Sequence, residues 1–194
     1  MAQALWQLHL YGPQAVGKMT VGQQVARLAG ARLLYNHQLI DLLTEYFPFG
    51  SDPFKRLVDG FRGQILEEAA EAEVSVVTTY GFPFDGPNRD LNIATIHEWM
   101  DCVERRGGSV YFVELRAPLD IRLERNRHEH RQAHKKLDWA TDDEIRRLND
   151  SFRWYSDNDF PFDAPYLILD VTSMPPDESA LRIVEHFGLT RGNA

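Results

Sequence analysis

Apolar residues recur along the chain with two different spacings, and the shorter spacing predicts strands. Trp6, Leu8 and Leu10 alternate with polar residues, and positions 110–115 are almost continuously apolar. Alternation is typical of a strand, and a short continuous apolar run is typical of a parallel strand buried on both faces. Further strands are predicted at 31–35, 74–79 and 166–170.

The longer spacing predicts helices between these strands. Val21, Val25 and Leu28 fall on one helical face, and Gly30 ends that helix. Similar stripes predict helices across 39–46, 54–69, 96–103 and 180–187, with one more from about residue 119 and a polar one from 141. Strands that alternate with helices predict an α/β fold with a parallel sheet, and residues 1–194 are expected to form a single domain.

A glycine-rich segment joins the first strand to the first helix. Residues 12–20 read Gly-Pro-Gln-Ala-Val-Gly-Lys-Met-Thr, which contains the pattern Gly-x-x-x-x-Gly-Lys. Glycines allow a tight turn whose N–H groups point at phosphate oxygens, and the helix that starts there adds the positive end of its dipole. Lys18 adds a charge for the β and γ phosphates, so we also assign it a catalytic role. The predicted contacts of a nucleoside triphosphate are Gly12, Ala15, Val16, Gly17, Lys18, Met19 and Thr20.

In this loop and in the order of its elements, the chain resembles the P-loop small-molecule and nucleotide kinases, of the shikimate kinase and adenylate kinase kind. The resemblance implies a three-layer fold in which helices flank a five-stranded parallel sheet. It also implies ATP and Mg²⁺ as cofactors, and transfer of the γ-phosphoryl group to a small-molecule acceptor. The sequence does not identify that acceptor.

Met19 departs from the common loop, in which a Ser or Thr directly after the lysine binds Mg²⁺. A thioether is a poor ligand for this hard cation. Adenylate kinases carry Gly-Lys-Gly-Thr at this place and hold the metal largely through water, and residues 17–20 resemble that arrangement. Thr20 is therefore the candidate metal ligand, mainly through water, and any other ligand stays unassigned.

A basic segment resembles the mobile lid of these kinases. Pro118 starts a helix after the fourth strand, and Arg125 stands where the family carries an arginine that contacts the nucleotide. Between 122 and 136, six lysines and arginines outnumber two glutamates. The resemblance implies a lid at about 122–140, in which Arg125 and Arg131 neutralise charge on the transferring phosphoryl group. The alternative is a solvated helical face with ordinary charge pairs.

The acceptor side departs further from the family. Shikimate kinases carry Asp-x-Asp after the second strand, whereas this chain has Asn36-His37-Gln38. Asn36 and His37 are candidate acceptor contacts, and a neutral His37 is able to take a proton. An equally good structural reading is a helix N-cap by Asn36 with His37 in the first turn. Arg62 resembles an arginine that holds the acceptor's carboxylate, and Thr79 ends the third strand on the ligand side.

Four acidic residues on this side and one loop on the nucleotide side are further candidates. The glutamate that follows the family's arginine is displaced here to Glu67 or Glu68, and no carboxylate closes the third strand. Asp41 and Asp85 are therefore the fallback catalytic bases. The loop at 170–175 is expected to contact the base of the nucleotide, mainly through its backbone.

Aromatic residues cluster in three Phe-Pro-Phe tripeptides and in the segment 152–155. The tripeptide Phe-Pro-Phe occurs at 47–49, 82–84 and 160–162. Phe82 and Phe84 either line an acceptor pocket or, as the more ordinary reading, pack on the core, and the third tripeptide is expected away from them because it precedes a strand. The polar helix after the lid is expected to carry an interface or a buried group made of Phe152, Trp154 and Tyr155.

Composition limits the partners of the chain. A net charge of -8 argues against nucleic acid, and no apolar run is long enough to span a membrane. The single cysteine, Cys102, allows no internal disulfide, which fits a cytoplasmic location. Besides a small-molecule kinase, the sequence leaves open a nucleoside or nucleotide kinase, a nucleotide-binding regulatory protein with little catalysis, and a plain nucleotide hydrolase. It does not fix the oligomeric state.

Overall fold

A computed structural model describes residues 4–127 and 141–189. Its centre is a sheet of five parallel strands in the order β2-β3-β1-β4-β5. The strands are β1 Trp6–Tyr11, β2 Arg32–Leu34, β3 Val76–Tyr80, β4 Ser109–Arg116 and β5 Tyr166–Asp170. All five predicted strands are therefore present, and their ends differ from the predicted ones by at most two residues.

Seven helices connect and flank these strands within the described residues. They are α1 Lys18–Ala29, α2 Asn36–Leu43, α3 Asp52–Glu71, α4 Arg89–Glu104, α5 Leu119–Arg127, α6 Asp142–Ser151 and α7 Pro176–Phe187. Their limits follow ordinary end signals: Gly30 and Gly188 close α1 and α7 in left-handed conformations, and the Thr141 hydroxyl caps α6.

The sheet is covered on both faces, which makes three layers. On one face Leu8, Leu10 and Leu115 pack with apolar residues of α1 and α7. On the other face Phe112 packs with Trp99 of α4 and with residues of α3. This arrangement confirms the predicted three-layer α/β fold with a five-stranded parallel sheet. No helix in the described part of the chain combines the length and the apolar character needed to cross a membrane.

Two predictions about aromatic residues were wrong. Helix α6 ends at Ser151, so Phe152, Trp154 and Tyr155 follow the helix rather than belong to it. The second and third Phe-Pro-Phe segments also meet, because the Phe82 and Phe162 rings lie 6.0 Å apart. The physical reason is the chain's path: after α6 it returns across the carboxyl end of the sheet before β5 begins.

The phenylalanines at 82 and 84 take the ordinary role of core residues. Phe82 and Phe84 are 2% and 1% exposed, and their rings contact each other edge to face. With other aromatic residues of β1, β3 and β4 they line a small cavity of about 10 Å³, which has room for about one water molecule. Their low exposure matches packing on the core, and this cavity is too small to hold an acceptor.

Candidate nucleotide and acceptor site

The phosphate loop is shaped by glycines in conformations that other residues avoid. Gly12 has φ 140°, and a Cβ there would lie 2.5 Å from the carbonyl oxygen of Leu115. Gly17 has φ 112° and caps α1, whose first residue is Lys18. Because a helix leaves its first N–H groups without helical partners, those of residues 17–20 are oriented to bind an anion.

Lys18 lies against the mouth of this loop. Its Nζ donates hydrogen bonds to the carbonyl oxygens of Gly12 at 2.5 Å and Pro13 at 2.7 Å. Ala15, at the loop's tip, has φ 63°. Met19 and Thr20 are half-buried in the first turn of α1. The seven residues of this segment that are predicted to contact a nucleotide thus lie in the turn and in the first turn of α1, and Lys18 contributes the ammonium group.

Arg125 of α5 ties this loop to the loop that follows β5. Its Nη1 donates to the carbonyl oxygen of Val16 at 3.0 Å, and its Nη2 donates to those of Val171 at 2.6 Å and Thr172 at 3.2 Å. Burial lowers the pKa of Arg125, and the neighbouring carboxylates of Glu124 and Asp170 counteract this. The arginine predicted to meet the nucleotide therefore joins the two loops predicted to hold its phosphates and its base.

The rest of the predicted lid is only partly described. Arg131, the other arginine to which we assigned catalysis, lies outside the described residues, as does the remainder of 128–140. Within the described part, Leu123 of α5 and Ile145 of α6 pack on Ala15. Helices α5 and α6 therefore rest directly on the phosphate loop.

Three of the four predicted acceptor residues form a connected chain. The backbone N–H of Asn36 donates to Oγ1 of Thr79 at 3.0 Å, and Oδ1 of Asn36 accepts from Nη2 of Arg62. The alternative reading of Asn36 as an N-cap was wrong: Tyr35 caps α2, and the Gln38 side chain bonds back to its N–H. The Asn36 side chain is instead committed to Arg62.

Arg62 is an incompletely paired buried cation. It is 1% exposed, and its Nε and Nη1 have no hydrogen-bond partner among the residues that the structure describes. Its guanidinium lies 5.1 Å from the Trp99 ring centroid and 5.4 Å from that of Tyr80. Burial lowers the pKa of Arg62, and burial together with Arg62 lowers the pKa of His9 to about 3. A buried cation with unused donors favours an anionic or hydrogen-bonding neighbour.

The other candidates of the acceptor side lie in different places. His37 stands in the first turn of α2, with Nδ1 3.6 Å from Oδ1 of Asp41. Asp85 accepts a hydrogen bond from the backbone N–H of Arg153 at 2.8 Å. Glu67 pairs with Arg105 and with Arg106 at 2.8 Å, so it joins α3 to α4 and is not available to Arg62.

Sequence reasoning missed a buried carboxylate next to the phosphate loop. Glu114 is fully buried, and its Oε2 accepts from Tyr166 OH at 2.6 Å, Ser156 N at 2.9 Å and Tyr11 OH at 3.1 Å. Its Oε1 accepts from Nε of Arg116. Burial, reinforced by this carboxylate, raises the pKa of Tyr166 to about 12. The sequence feature that could have indicated this buried carboxylate is its position as the only charged residue within the apolar run at 110–115.

Two arginines also escaped prediction. Arg122 of α5 is 2% exposed and donates to the carbonyl oxygen of Gln14 at 3.4 Å and to Oδ1 of Asn149. Arg153 donates to the carbonyl oxygen of Phe84 at 3.1 Å. Only the basic character of residues 122–136 pointed to Arg122, and no pattern pointed to Arg153.

Comparison with known proteins gives matches in structure alone. No protein-family model matches the sequence, and no curated protein matches it. A sugar kinase from Janibacter sp. is 16% identical with a TM-score of 0.60, over 94% of this chain and 94% of that one. A gluconokinase from Sinorhizobium meliloti is 17% identical with a TM-score of 0.58, over 96% and 97%. A shikimate kinase from Acinetobacter baumannii, in complex with shikimate, is 20% identical with a TM-score of 0.54, over 93% and 92%.

These likenesses agree with the architecture derived from the strands and helices. Each covers nearly the whole of both chains, so the correspondence extends beyond the phosphate loop. The identities are low enough that the likeness is one of fold. The chain has the fold of the P-loop small-molecule kinases.

Proposed function

We propose that this chain is an ATP-dependent kinase that transfers the γ-phosphoryl group to a small-molecule acceptor. The observation that carries the proposal is the phosphate loop, where the positive end of the α1 dipole and the ammonium of Lys18, bonded to the carbonyl oxygens of Gly12 and Pro13, belong to the same turn. Arg125 supports it from the other side, because it is held between the phosphate loop and the loop after β5.

The loop after β5 is the proposed contact for the nucleotide base. Asp170 accepts a hydrogen bond from the N–H of Thr172 at 2.8 Å, and the Thr172 side chain, followed by this N–H, lowers the pKa of the Asp170 carboxyl. Such a turn has a fixed shape and offers backbone groups to a planar ring. Arg125 binds the carbonyl oxygens of Val171 and Thr172, so it fixes this turn relative to the phosphate loop.

The acceptor is proposed to lie at the carboxyl end of β3, next to Thr79, Asn36 and Arg62. Ligands of open α/β sheets bind at this end of the strands. The unused donors of Arg62 suit an acceptor with an anionic group, provided that the aromatic cover of the guanidinium opens. His37, with Asp41 beside it, is the proposed base for the acceptor hydroxyl.

Mg²⁺ fits the donor set only if water and phosphate supply most of its ligands. The described residues contain no group of three or more His, Cys, Asp or Glu side chains able to hold a metal. The Thr20 hydroxyl in the first turn of α1 is the proposed direct or water-mediated contact. Bound there, Mg²⁺ would neutralise charge on the β and γ phosphates.

The absence of an acidic residue at Asn36-His37-Gln38 favours one alternative, a nucleotide-binding regulatory protein with little catalysis. An assay of ADP release from ATP and Mg²⁺ distinguishes the two. Pools of hydroxy acids, sugars, nucleosides and nucleotides serve as acceptors, and His37→Gln serves as the variant. The kinase proposal expects ADP only with the hydroxy acid or the sugar pool and a strong loss in the variant, whereas ADP only with nucleosides or nucleotides would favour a nucleoside or nucleotide kinase. ATP binding without ADP release in any pool would support the regulatory protein instead.

A further inference from the structure

We propose that residues 152–156 connect the phosphate loop to loop 81–86, so that nucleotide binding positions the acceptor side of the site. This inference rests on the proposed function, because loop 81–86 follows β3 at the proposed acceptor edge. In it, Arg153 is a positioning residue: it acts through loop 81–86 and is not assigned any contact with ATP.

The first end of the connection is the contact between residues 152–156 and loop 81–86. The N–H of Phe84 donates to the carbonyl oxygen of Arg153 at 2.7 Å, and the N–H of Arg153 donates to Oδ1 of Asp85 at 2.8 Å. The Arg153 guanidinium donates to the carbonyl oxygen of Phe84 and lies 5.5 Å from that ring's centroid. One backbone–backbone bond, one bond from a backbone N–H to the Asp85 carboxylate and the Arg153 side chain therefore fix the middle of the loop.

Two rings hold the ends of the same loop. At Gly86, which has φ 92°, an added Cβ would lie 3.0 Å from Cε1 of Phe152. At Gly81, an added Cβ would lie 3.7 Å from the Trp154 ring. The indole N–H of Trp154 donates to the carbonyl oxygen of Leu148 at 2.9 Å, so this ring is fastened to α6. Trp154 therefore links the position of α6 to the position of loop 81–86.

The second end of the connection is the contact between α6 and the phosphate loop. Arg122 donates to the carbonyl oxygen of Gln14 and to Oδ1 of Asn149, which lies on α6. The N–H of Ser156 donates to buried Glu114, which also binds Tyr11, the residue that precedes Gly12. Asn149 and Ser156 thus both bond to groups at or next to the phosphate loop, and only six residues separate them.

A ligand that fixes the phosphate loop therefore favours one position of α6 and, with it, one position of loop 81–86. By linkage, an acceptor that binds against loop 81–86 tightens nucleotide binding by the same factor. The hydrogen bonds supply a continuous path between the two loops, and the coupling requires that the phosphate loop, α6 and loop 81–86 change position together when nucleotide binds.

The test is amide hydrogen exchange of residues 81–86 with and without saturating adenylyl imidodiphosphate and Mg²⁺, after calorimetry has measured nucleotide affinity. In the parent we expect bound nucleotide to slow exchange by about fivefold, the lower end of ordinary coupling between sites. Arg153→Ala and Asn149→Ala each remove the side-chain bonds at one end of the connection, and both should bind nucleotide yet lose most of the slowing. Arg147→Ala is the matched control, since this exposed arginine of α6 pairs with Glu144 within its own helix.

The outcomes separate this inference from the proposed function. If calorimetry shows no nucleotide binding to the parent, both fail together. If nucleotide binds but exchange at 81–86 does not respond, or if Arg153→Ala retains the full slowing, only the coupling is refuted. Should Arg153→Ala fail to fold, Asp85→Ala removes the bond to the Arg153 N–H from an exposed position and makes the same distinction.

Discussion

Replacing Gly12 with alanine tests the geometry of the phosphate loop at one atom. The new Cβ would stand 2.5 Å from the carbonyl oxygen of Leu115, a backbone atom of β4 that has no room to withdraw. The substitution also forces an L-residue to keep φ 140°, which side chains rarely tolerate. Strain and steric clash therefore act in the same direction.

The expected loss of stability follows from these two terms. A residue held in a sparsely populated backbone region costs about 1–3 kcal/mol, and overpacking costs about 1–3 kcal/mol. Together they predict about 2–6 kcal/mol. For a domain of this length each kcal/mol lowers Tm by about 2–4 °C, so Tm should fall by at least about 4 °C.

The matched control is Gly60→Ala, the same change at a helical glycine. Gly60 lies within α3, and an added Cβ there meets nothing within 4 Å. Because alanine is the better helix former, this variant should gain up to about 1 kcal/mol. Thermal and urea unfolding of both variants checks the pair, together with ATP binding, which Gly12→Ala should abolish. A Gly12→Ala protein as stable as the parent would refute the clash, and with it the close approach of the loop to β4.

Three further predictions concern buried charged and polar groups. Arg62→Met should change the free energy of unfolding by less than about 2 kcal/mol, because an apolar side chain can replace an incompletely paired buried cation. Phosphorylation of the acceptor should fall at least about tenfold, which is the effect of losing roughly one charge-assisted hydrogen bond. Urea unfolding and steady-state kinetics measure the two effects, and an unchanged KM and kcat would remove Arg62 from the site. Glu114→Gln should destabilise the fold by about 1–3 kcal/mol, because its four hydrogen-bond donors lose a charged acceptor. Glu178→Gln, on the exposed surface of α7, should leave the stability unchanged. Burial lowers the pKa of His9 from 6.5 in model peptides to about 3, so between these values the unfolded chain binds one more proton than the folded chain, and the free energy of unfolding falls as the pH falls from 6.5. In urea titrations at pH 4.5 to 7, His9→Phe should reduce the slope of unfolding free energy against pH by up to about 1.4 kcal/mol per pH unit. An unaltered slope would contradict the burial of a neutral His9.

The sequence was sufficient to predict the element order and the phosphate loop because both depend on local signals. Alternation, helical stripes and the spacing of Gly12, Gly17 and Lys18 are all read within short windows. The dihedral angles of the two glycines match the tight turn that the spacing implied. The ends of the strands other than β5 differ from the prediction by at most two residues, because strand ends depend on pairing with neighbours.

Contacts between distant segments were not predictable in this way. The bond from Arg62 to Asn36 spans 26 residues, and that from Tyr11 to Glu114 spans 103. Partners of a buried charge are set by how helices pack on the sheet, and a single sequence carries no record of that packing. The return of residues 152–162 across the sheet, which brings the Phe-Pro-Phe segments together, belongs to the same class.

The central claim, that this chain binds ATP through its phosphate loop, is tested most directly by thermal unfolding with ATP and Mg²⁺. The proteins compared are the parent, Lys18→Ala, and Lys55→Ala, which removes the same charge from an exposed position of α3. ATP at a hundred times its Kd should stabilise the parent and Lys55→Ala by about 2.7 kcal/mol, a rise in Tm of about 5–11 °C. Lys18→Ala should show little or no rise. An equal rise in Lys18→Ala, or none in the parent, would contradict the account.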